Sequence, residues 1–409
     1  MRRSLFAVLV AGYSVSTFGN YLNLLALNLY VYQLTGSALQ MGLLMAVRLA
    51  AGFLAGPIAG GMASRHDRRA LMIATDTAQA AAMVLLLVAP SVWRVPVLYV
   101  VAVVLGGGNT FFTVALRSSI PDLVGTAERV RGNGYLITGK SVAMVLGFAS
   151  AGPMIGAFGF QSAFVVNAGS FVVSAVALAC LPLSFRSVGA AADPAGSVRA
   201  LRRTFRTVLV SVPVLGGMVA LRSVDAWASA SHNVALPILA SATNPGNPAA
   251  LLSQFWTAWA VGMLLTHWLV TFWLRRAGRS LDERVFAVAA CVMSLAFVAT
   301  FTGPPAPLVI VIPLVAGLAD GITELAYTSR LQAAPEEVRA RLFGLSATAE
   351  TFGFGVGMLT CALALEQASP LPVVAAFHTM VIVAAGTFLL WVRHSCARAG
   401  ADVGRTPTS

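Results

Sequence analysis

Leu39–Met62 reads LQMGLLMAVRLAAGFLAGPIAGGM and runs straight into Ala63-Ser-Arg-His-Asp-Arg-Arg69. Arg48 is the only charge in this stretch, and about 20 apolar residues suffice for a helix to cross the hydrocarbon core of a bilayer. The same pattern recurs on both sides of it, at 5–33, 70–90, 96–118, 134–157, 161–184, 207–239, 251–274, 284–303, 306–328, 342–366 and 371–393, twelve spans in all. Irregular backbone cannot face lipid, so each span is expected to be helical. At 58% hydrophobic and 10% charged residues, a chain of 409 residues is a polytopic membrane protein and not a soluble enzyme.

The charges orient the spans. Arg2 and Arg3, Arg65–Arg69, Arg129 and Arg131, the arginines of 186–206, Arg275–Arg284, Arg330–Arg341 and Arg393–Arg405 fall on alternate connections, whereas the opposite connections hold only Arg94. The positive-inside rule then places both termini in the cytoplasm. The net charge of +12 is read as topology and not as a nucleic-acid footprint, since no basic patch is interleaved with aromatics. Arg2-Arg3 and the apolar run behind them are read as a retained first span, because no small-residue cleavage site interrupts the run. The four cysteines stand at neither metal nor disulfide spacing, and no phosphate-binding glycine loop occurs, so no metal and no cofactor are expected. A single lysine, Lys140, beside many arginines and abundant alanine suggests a GC-rich bacterial genome, hence an inner-membrane location.

Two blocks repeat. Arg117-Ser-Ser-Ile-Pro121-Asp122 follows the fourth span and Arg330-Leu-Gln-Ala-Ala-Pro335-Glu336-Glu337 the tenth. In each, an arginine is followed by a proline expected to stop the helix and an acid expected to begin the next segment. The expected fold is therefore all-α, with twelve transmembrane helices in two pseudo-symmetric six-helix bundles. Residues 1–185 form the N-terminal bundle, 186–206 a cytoplasmic linker, 207–396 the C-terminal bundle and 397–409 a disordered cytoplasmic tail. Parallel halves of this kind organise alternating-access transporters.

Leu34-Thr35-Gly36-Ser37, Gly60-Gly61-Met62-Ala63-Ser64-Arg65-His66-Asp67-Arg68-Arg69, Pro121-Asp122 and Gln332…Pro335-Glu336-Glu337…Arg341 together resemble the major facilitator superfamily. The likeness is strongest to its macrolide-efflux and enterobactin-exporter branch, and it covers essentially the whole chain. It implies a gating role for Gly61, Ser64, Arg65, Asp67, Arg68 and Arg69, with Arg117 and Asp122 beside them. Ser64 stands where the family has an acid that caps a helix of the other half; a serine hydroxyl can still cap, without charge. Gly147-Phe-Ala-Ser-Ala-Gly152-Pro153-Met-Ile-Gly156 resembles the family's antiporter motif. Read from the residues alone, Gly152 and Gly156 allow close helix packing and Pro153 a bend.

Ionisable residues inside spans are expensive and thus functional candidates. Asp320 and Glu324, one turn apart, cannot both ionise cheaply, so at least one pKa is expected to rise toward the working range; the alternative is a lock in which either acid pairs with Arg330, His267 or another cation. Asp225 and Glu350 are the further proton candidates. Arg222 and Asp225 share a face and read as a self-neutralising pair or a gate. Asp76 reads as structural, meeting the loop arginines. Arg48 either reaches an acid of the other half or binds an anionic part of the cargo.

Asn20 and Asn23 on the first span, Asn109 and Thr113 on the fourth, and Trp259 and Met263 on the eighth are the remaining cargo candidates. A cavity mixing amides, aromatics and methionine suits hydrophobic or amphipathic organic molecules, although each residue serves equally well as packing between helices. The expected function is proton-coupled export of drugs or bulky secondary metabolites by a monomer in contact with lipid, small molecules and protons, and not with nucleic acid. The alternatives are a dedicated exporter of one metabolite, such as a siderophore, or a membrane sensor or scaffold that does not transport.

Overall fold

A computed structural model describes residues 2–124, 129–180, 212–277 and 281–403. The helices are α1 (Arg2–Thr35), α2 (Ala38–Arg65), α3 (Arg68–Val88), α4 (Arg94–Val124), α5 (Arg129–Ala179), α6 (Pro213–Thr243), α7 (Pro248–Ala277), α8 (Glu283–Thr300), α9 (Leu308–Gln332), α10 (Glu336–Leu365) and α11 (Pro370–Val403). No strand occurs among the described residues. Nine helices among them are long and apolar enough to cross a membrane. Large apolar side chains stand uncovered on their surfaces, Leu54 at 67%, Val88 at 70% and Phe352 at 72% exposure, as a hydrocarbon surrounding allows and water disfavours.

Local chemistry sets the helix ends. Gly36 at φ 65° turns the chain between α1 and α2, a conformation that a Cβ would strain. Ser37 then caps α2 through the amide of Gln40, Asp67 caps α3 through that of Arg69, and Asp282 caps α8 through Arg284 and Val285. Two predicted spans, 134–157 and 161–184, fall on one continuous assignment, α5, which breaks at Gly159 (φ 74°, ψ 175°). The two prolines of the repeat behave differently. Pro335 lies between α9 and α10, as expected, but α4 runs through Pro121 to Val124. Pro121 removes one hydrogen bond in the final turn, where the helix is ending in any case, so the stop comes one turn later than predicted. The linker at 186–206 lies outside the described residues. α11 continues to Val403, past the predicted bundle end at 396, and 404–409 lie outside the description.

Packing groups the described residues into two units, one drawn from Met1–Ala195, Val234–Ala260 and Met358–Gln367, the other from Gly196–Asn233, Val261–Gly357 and Ala368–Ser409. Chain order is thus not packing order. The end of α6, the start of α7 and the end of α10, all remote from the arginine-rich connections, pack within the first unit. Glycines permit this. A Cβ on Gly42 of α2 would stand 2.8 Å from the Met358 carbonyl of α10, and one on Gly152 of α5 would stand 2.6 Å from Ser253 of α7. In the second unit a Cβ on Gly353 of α10 would meet the Ser223 carbonyl of α6 at 2.6 Å.

Candidate functional site

The approach of α10 to α6 at Gly353 assembles the main ionic cluster, which lies wholly in the second unit. Arg222 Nη1 donates to Asp225 Oδ2 at 3.0 Å, one turn along α6. From α9, Glu324 Oε2 accepts from Arg222 Nη2 at 2.8 Å, and Asp320 stands 3.9 Å from Nη1. From α10, Glu350 Oε2 lies 3.5 Å from Nε, within ion-pair range but not aligned for a hydrogen bond. All four predicted proton candidates therefore converge on one guanidinium. The Arg222–Asp225 pair forms as expected, but it is not closed on itself, because the guanidinium is shared by three helices. Of the cations named for the lock, Arg330 pairs instead with Glu283 of α8 at 3.1 Å, and the cation that Asp320 and Glu324 meet is Arg222. The side chain of His267 lies outside the described residues.

Hydroxyls fasten the acids. Tyr327 donates to Ser346 at 2.7 Å, Ser346 to Glu350 Oε1 at 2.6 Å, and Thr328 to Glu324 Oε1 at 3.1 Å. The Tyr327 ring also lies 5.9 Å from the Arg222 guanidinium carbon. Exposure is graded across the cluster, with the Asp225 side chain at 3%, Glu350 at 31% and Glu324 at 45%. One acid is thus anchored in the interior while another is nearly half uncovered by protein.

Most cargo candidates belong to the first unit. Asn23 is fully buried, and its amide nitrogen approaches the Met83 sulfur at 3.9 Å. Asn20 is half-buried, and the side-chain oxygens of both asparagines lack a hydrogen bond. Asn109 is exposed and Thr113 half-buried on α4. Trp259 stacks edge-on against Trp256 at 5.4 Å, Trp256 lies along Phe148 at 5.7 Å, and Phe148 meets Tyr21 at 5.2 Å, giving an aromatic wall across α7, α5 and α1. Met263 follows one turn along α7 and belongs to the second unit. Arg48 is half-buried, its Nη1 is fully enclosed, and it makes no hydrogen bond or ion pair among the described residues.

The basic loop works as a set of C-terminal caps. Arg68 donates to the Ala63 carbonyl of α2 at 3.1 Å and to the Ser118 carbonyl of α4 at 2.6 Å. Arg69 donates to Leu178 at 2.8 Å and to Ala179, at the end of α5. Ala63, Leu178 and Ala179 are carbonyls that helix ends leave open, whereas Ser118 lies further from the end of α4. Asp76 does not meet them: it is fully buried, neither oxygen has a well-formed hydrogen bond, and the Ser174 hydroxyl is its polar neighbour. Ser64 donates back to Gly61 of its own helix at 2.8 Å, and Asp67 takes the capping role on α3. A Cβ on Gly61 would meet open space, and Arg65 and Arg117 are exposed. The Asp122 side chain lies outside the described residues. Gly152 and Gly156 of the glycine-proline stretch face α7 and the turn before it, at Ser253 and Asn247, while Pro153 is exposed.

Residues 9–358 match the Major Facilitator Superfamily. The chain belongs to this superfamily. Its spans are those of a multi-pass membrane protein. An uncharacterised major facilitator transporter of Bacillus subtilis, YfiS, is 30% identical over 175 residues, 42% of this chain and 41% of that protein. Macrolide efflux protein A of Streptococcus pyogenes is 25% identical over 176 residues, 42% of this chain and 44% of that one. The matches therefore span less than half the length of these curated relatives. Among solved structures, a peptide transporter superposes with a TM-score of 0.73 at 15% identity, covering 96% of this chain and 94% of that one. The nucleoside transporter NupG gives 0.71 at 15%, covering 94% and 98%. At such identities these two show the fold alone.

In this superfamily member the sequence reading missed three groups. Arg222 as a common partner was hidden because α6, α9 and α10 are far apart in the chain. Ser253, which donates to the carbonyls of Phe148 at 2.5 Å and Ala149 at 3.2 Å, had no signal beyond being polar in an apolar span. Glu366, just past α10, accepts from the Ser37 hydroxyl at 2.8 Å and the Leu39 amide at 2.9 Å; the vacant amides of a helix N-terminus invite a carboxylate, but not from 327 residues away in the chain.

Proposed function

We propose that the protein is a secondary active transporter that exports hydrophobic or amphipathic organic molecules, drugs or bulky secondary metabolites, in exchange for protons by alternating access. It works as a monomer in a bacterial inner membrane with both termini in the cytoplasm. The observation that carries this reading is Arg222 held by four carboxylates from three helices. With every acid ionised, one guanidinium faces four negative charges in a medium of low dielectric, and their repulsion draws protons in. A proton reaching Glu324, the most exposed of the four, cancels its hold on Nη2 and unties α9 from α6 at that point, while Asp225 retains the guanidinium. Losing the proton to the other side restores the tie. Protonation is thereby coupled to how the helices of the second unit are fastened, which is what a proton-driven carrier requires.

The cargo meets the Asn20–Asn23 stripe and the Trp256–Trp259 wall, where aromatic faces and amides accept molecules with both apolar and polar parts. The test is cargo-triggered proton release from inside-out vesicles, read with a ΔpH-sensitive dye against hydrophobic antibiotics, cationic dyes and siderophores. Collapse of the gradient by several unrelated compounds is the expected result. Response to a single compound would replace the broad exporter by a dedicated one. Silence across the panel, with folded protein, would overturn proton exchange for these compounds and favour a sensor or scaffold.

A further inference from the structure

The first unit contains a half-buried cation with no counter-ion among the described residues. Arg48 is the one charge within α2 before its basic end, Nη1 is enclosed by protein, and the guanidinium makes no hydrogen bond or ion pair among the described residues. The described acids of this unit are all placed elsewhere: Asp67 caps α3, Glu366 caps α2 at its start, and Asp76 is buried without a cationic partner. A guanidinium cannot shed its charge in a protein, so a partner of opposite charge is what this site lacks.

The surroundings hold Arg48 in place. A Cβ on Gly106 of α4 would run into the Arg48 carbonyl, and one on Gly52, a turn further along α2, would stand 3.2 Å from both the Gly106 carbonyl and the Thr110 hydroxyl. The backbone beneath Arg48 is therefore clamped against α4, which also carries Asn109 and Thr113. A fixed stem, an enclosed Nη1 and further guanidinium donors in a half-buried residue are the ingredients of a preorganised oxyanion receptor.

We propose that Arg48 binds a carboxylate carried by the cargo, so that the preferred cargo is an amphipathic organic acid. This rests on the transport reading above, but its test is an equilibrium one and needs no proton gradient. Binding of tetramethylrhodamine and of its methyl ester, which differ at one carboxylate, is followed by fluorescence anisotropy with the purified full chain in nanodiscs, empty discs being subtracted. The expected result is acid binding about tenfold tighter than ester, worth about 1.4 kcal/mol. Arg48→Gln brings the two affinities together while ester binding persists, which also shows that the variant is folded, and Arg48→Lys keeps part of the preference.

Equal binding of acid and ester by the native protein, absent binding of the acid, or an unchanged preference in Arg48→Gln would overturn the proposal. So would a parallel loss of both ligands in Arg48→Gln and Arg48→Lys, which would mark Arg48 as a conformational element. If proton exchange fails while the acid preference holds, only the coupling is lost; if the preference fails while vesicles still release protons, the exporter stands and its cargo is not selected by charge.

Discussion

Arg48 and Arg222 both stand well inside their helices, away from the ends, and they are treated in opposite ways. Arg222 touches four carboxylates from three helices, whereas Arg48 touches none among the described residues. Removing a charge from water is costly, and a protein offsets that cost with partners or leaves the offset to a ligand. The second unit takes the first course, with acids in excess. On the function proposed above, the variable there is the proton, whereas at Arg48 in the first unit it is the bound molecule.

The sharpest way to break this comparison is to neutralise each arginine. Arg222→Met strands the buried Asp225 and is expected to destabilise the protein by about 3–5 kcal/mol, read as thermal unfolding in detergent. Adding Asp225→Asn should recover most of the loss; no recovery would mean that the acid is not held by this cation. Arg48→Met removes an unpaired cation instead, and is expected to raise the stability of the cargo-free protein by about 1 kcal/mol. A lowered unfolding temperature would reveal a partner that the comparison denies.

Within the cluster, Glu324→Gln separates fastening from folding. Its side chain is 45% exposed, and an ion pair of that kind contributes at most about 1 kcal/mol, so stability should barely move. Cargo-driven proton release, by contrast, should drop to the level of empty vesicles. Unchanged release would shift the proton to Asp320, Glu350 or Asp225.

The smallest expected effect concerns Glu366, a water-facing carboxylate whose partners are a hydroxyl and a helix start in place of an arginine. The Leu39 amide and Ser37 hydroxyl hold its pKa below the ordinary 4.5. The folded state therefore releases this proton more readily than the unfolded one. Its contribution is complete above 4.5 and fades as the pH falls through the lowered value. Unfolding followed from neutral to acid pH should show this component in the native protein and lose it in Glu366→Gln; identical profiles would remove the cap from the account.

The helical, membrane-spanning character and the basic connections were legible in the sequence because hydropathy acts locally. Pro335 ends a helix as expected. Pro121 misled because the rule that proline stops helices weakens in a final turn. The cluster was legible only as separate parts: Asp320, Glu324, Asp225 and Glu350 stood out as embedded acids. Nothing near them in the chain named Arg222 as their shared partner, which depends on the glycine contact between α6 and α10. Arg48 was legible as an anomaly, and its isolation required the positions of the other charges.

The seam between α5 and α7 is made of backbone and two small residues, Gly152 and Ser253, whereas the Trp256–Trp259 wall beside it is made of large side chains. On the proposed reading, in which the wall meets the cargo, the parts that choose a molecule and the parts that join these helices are written in different residues, so a change of cargo need not loosen the join.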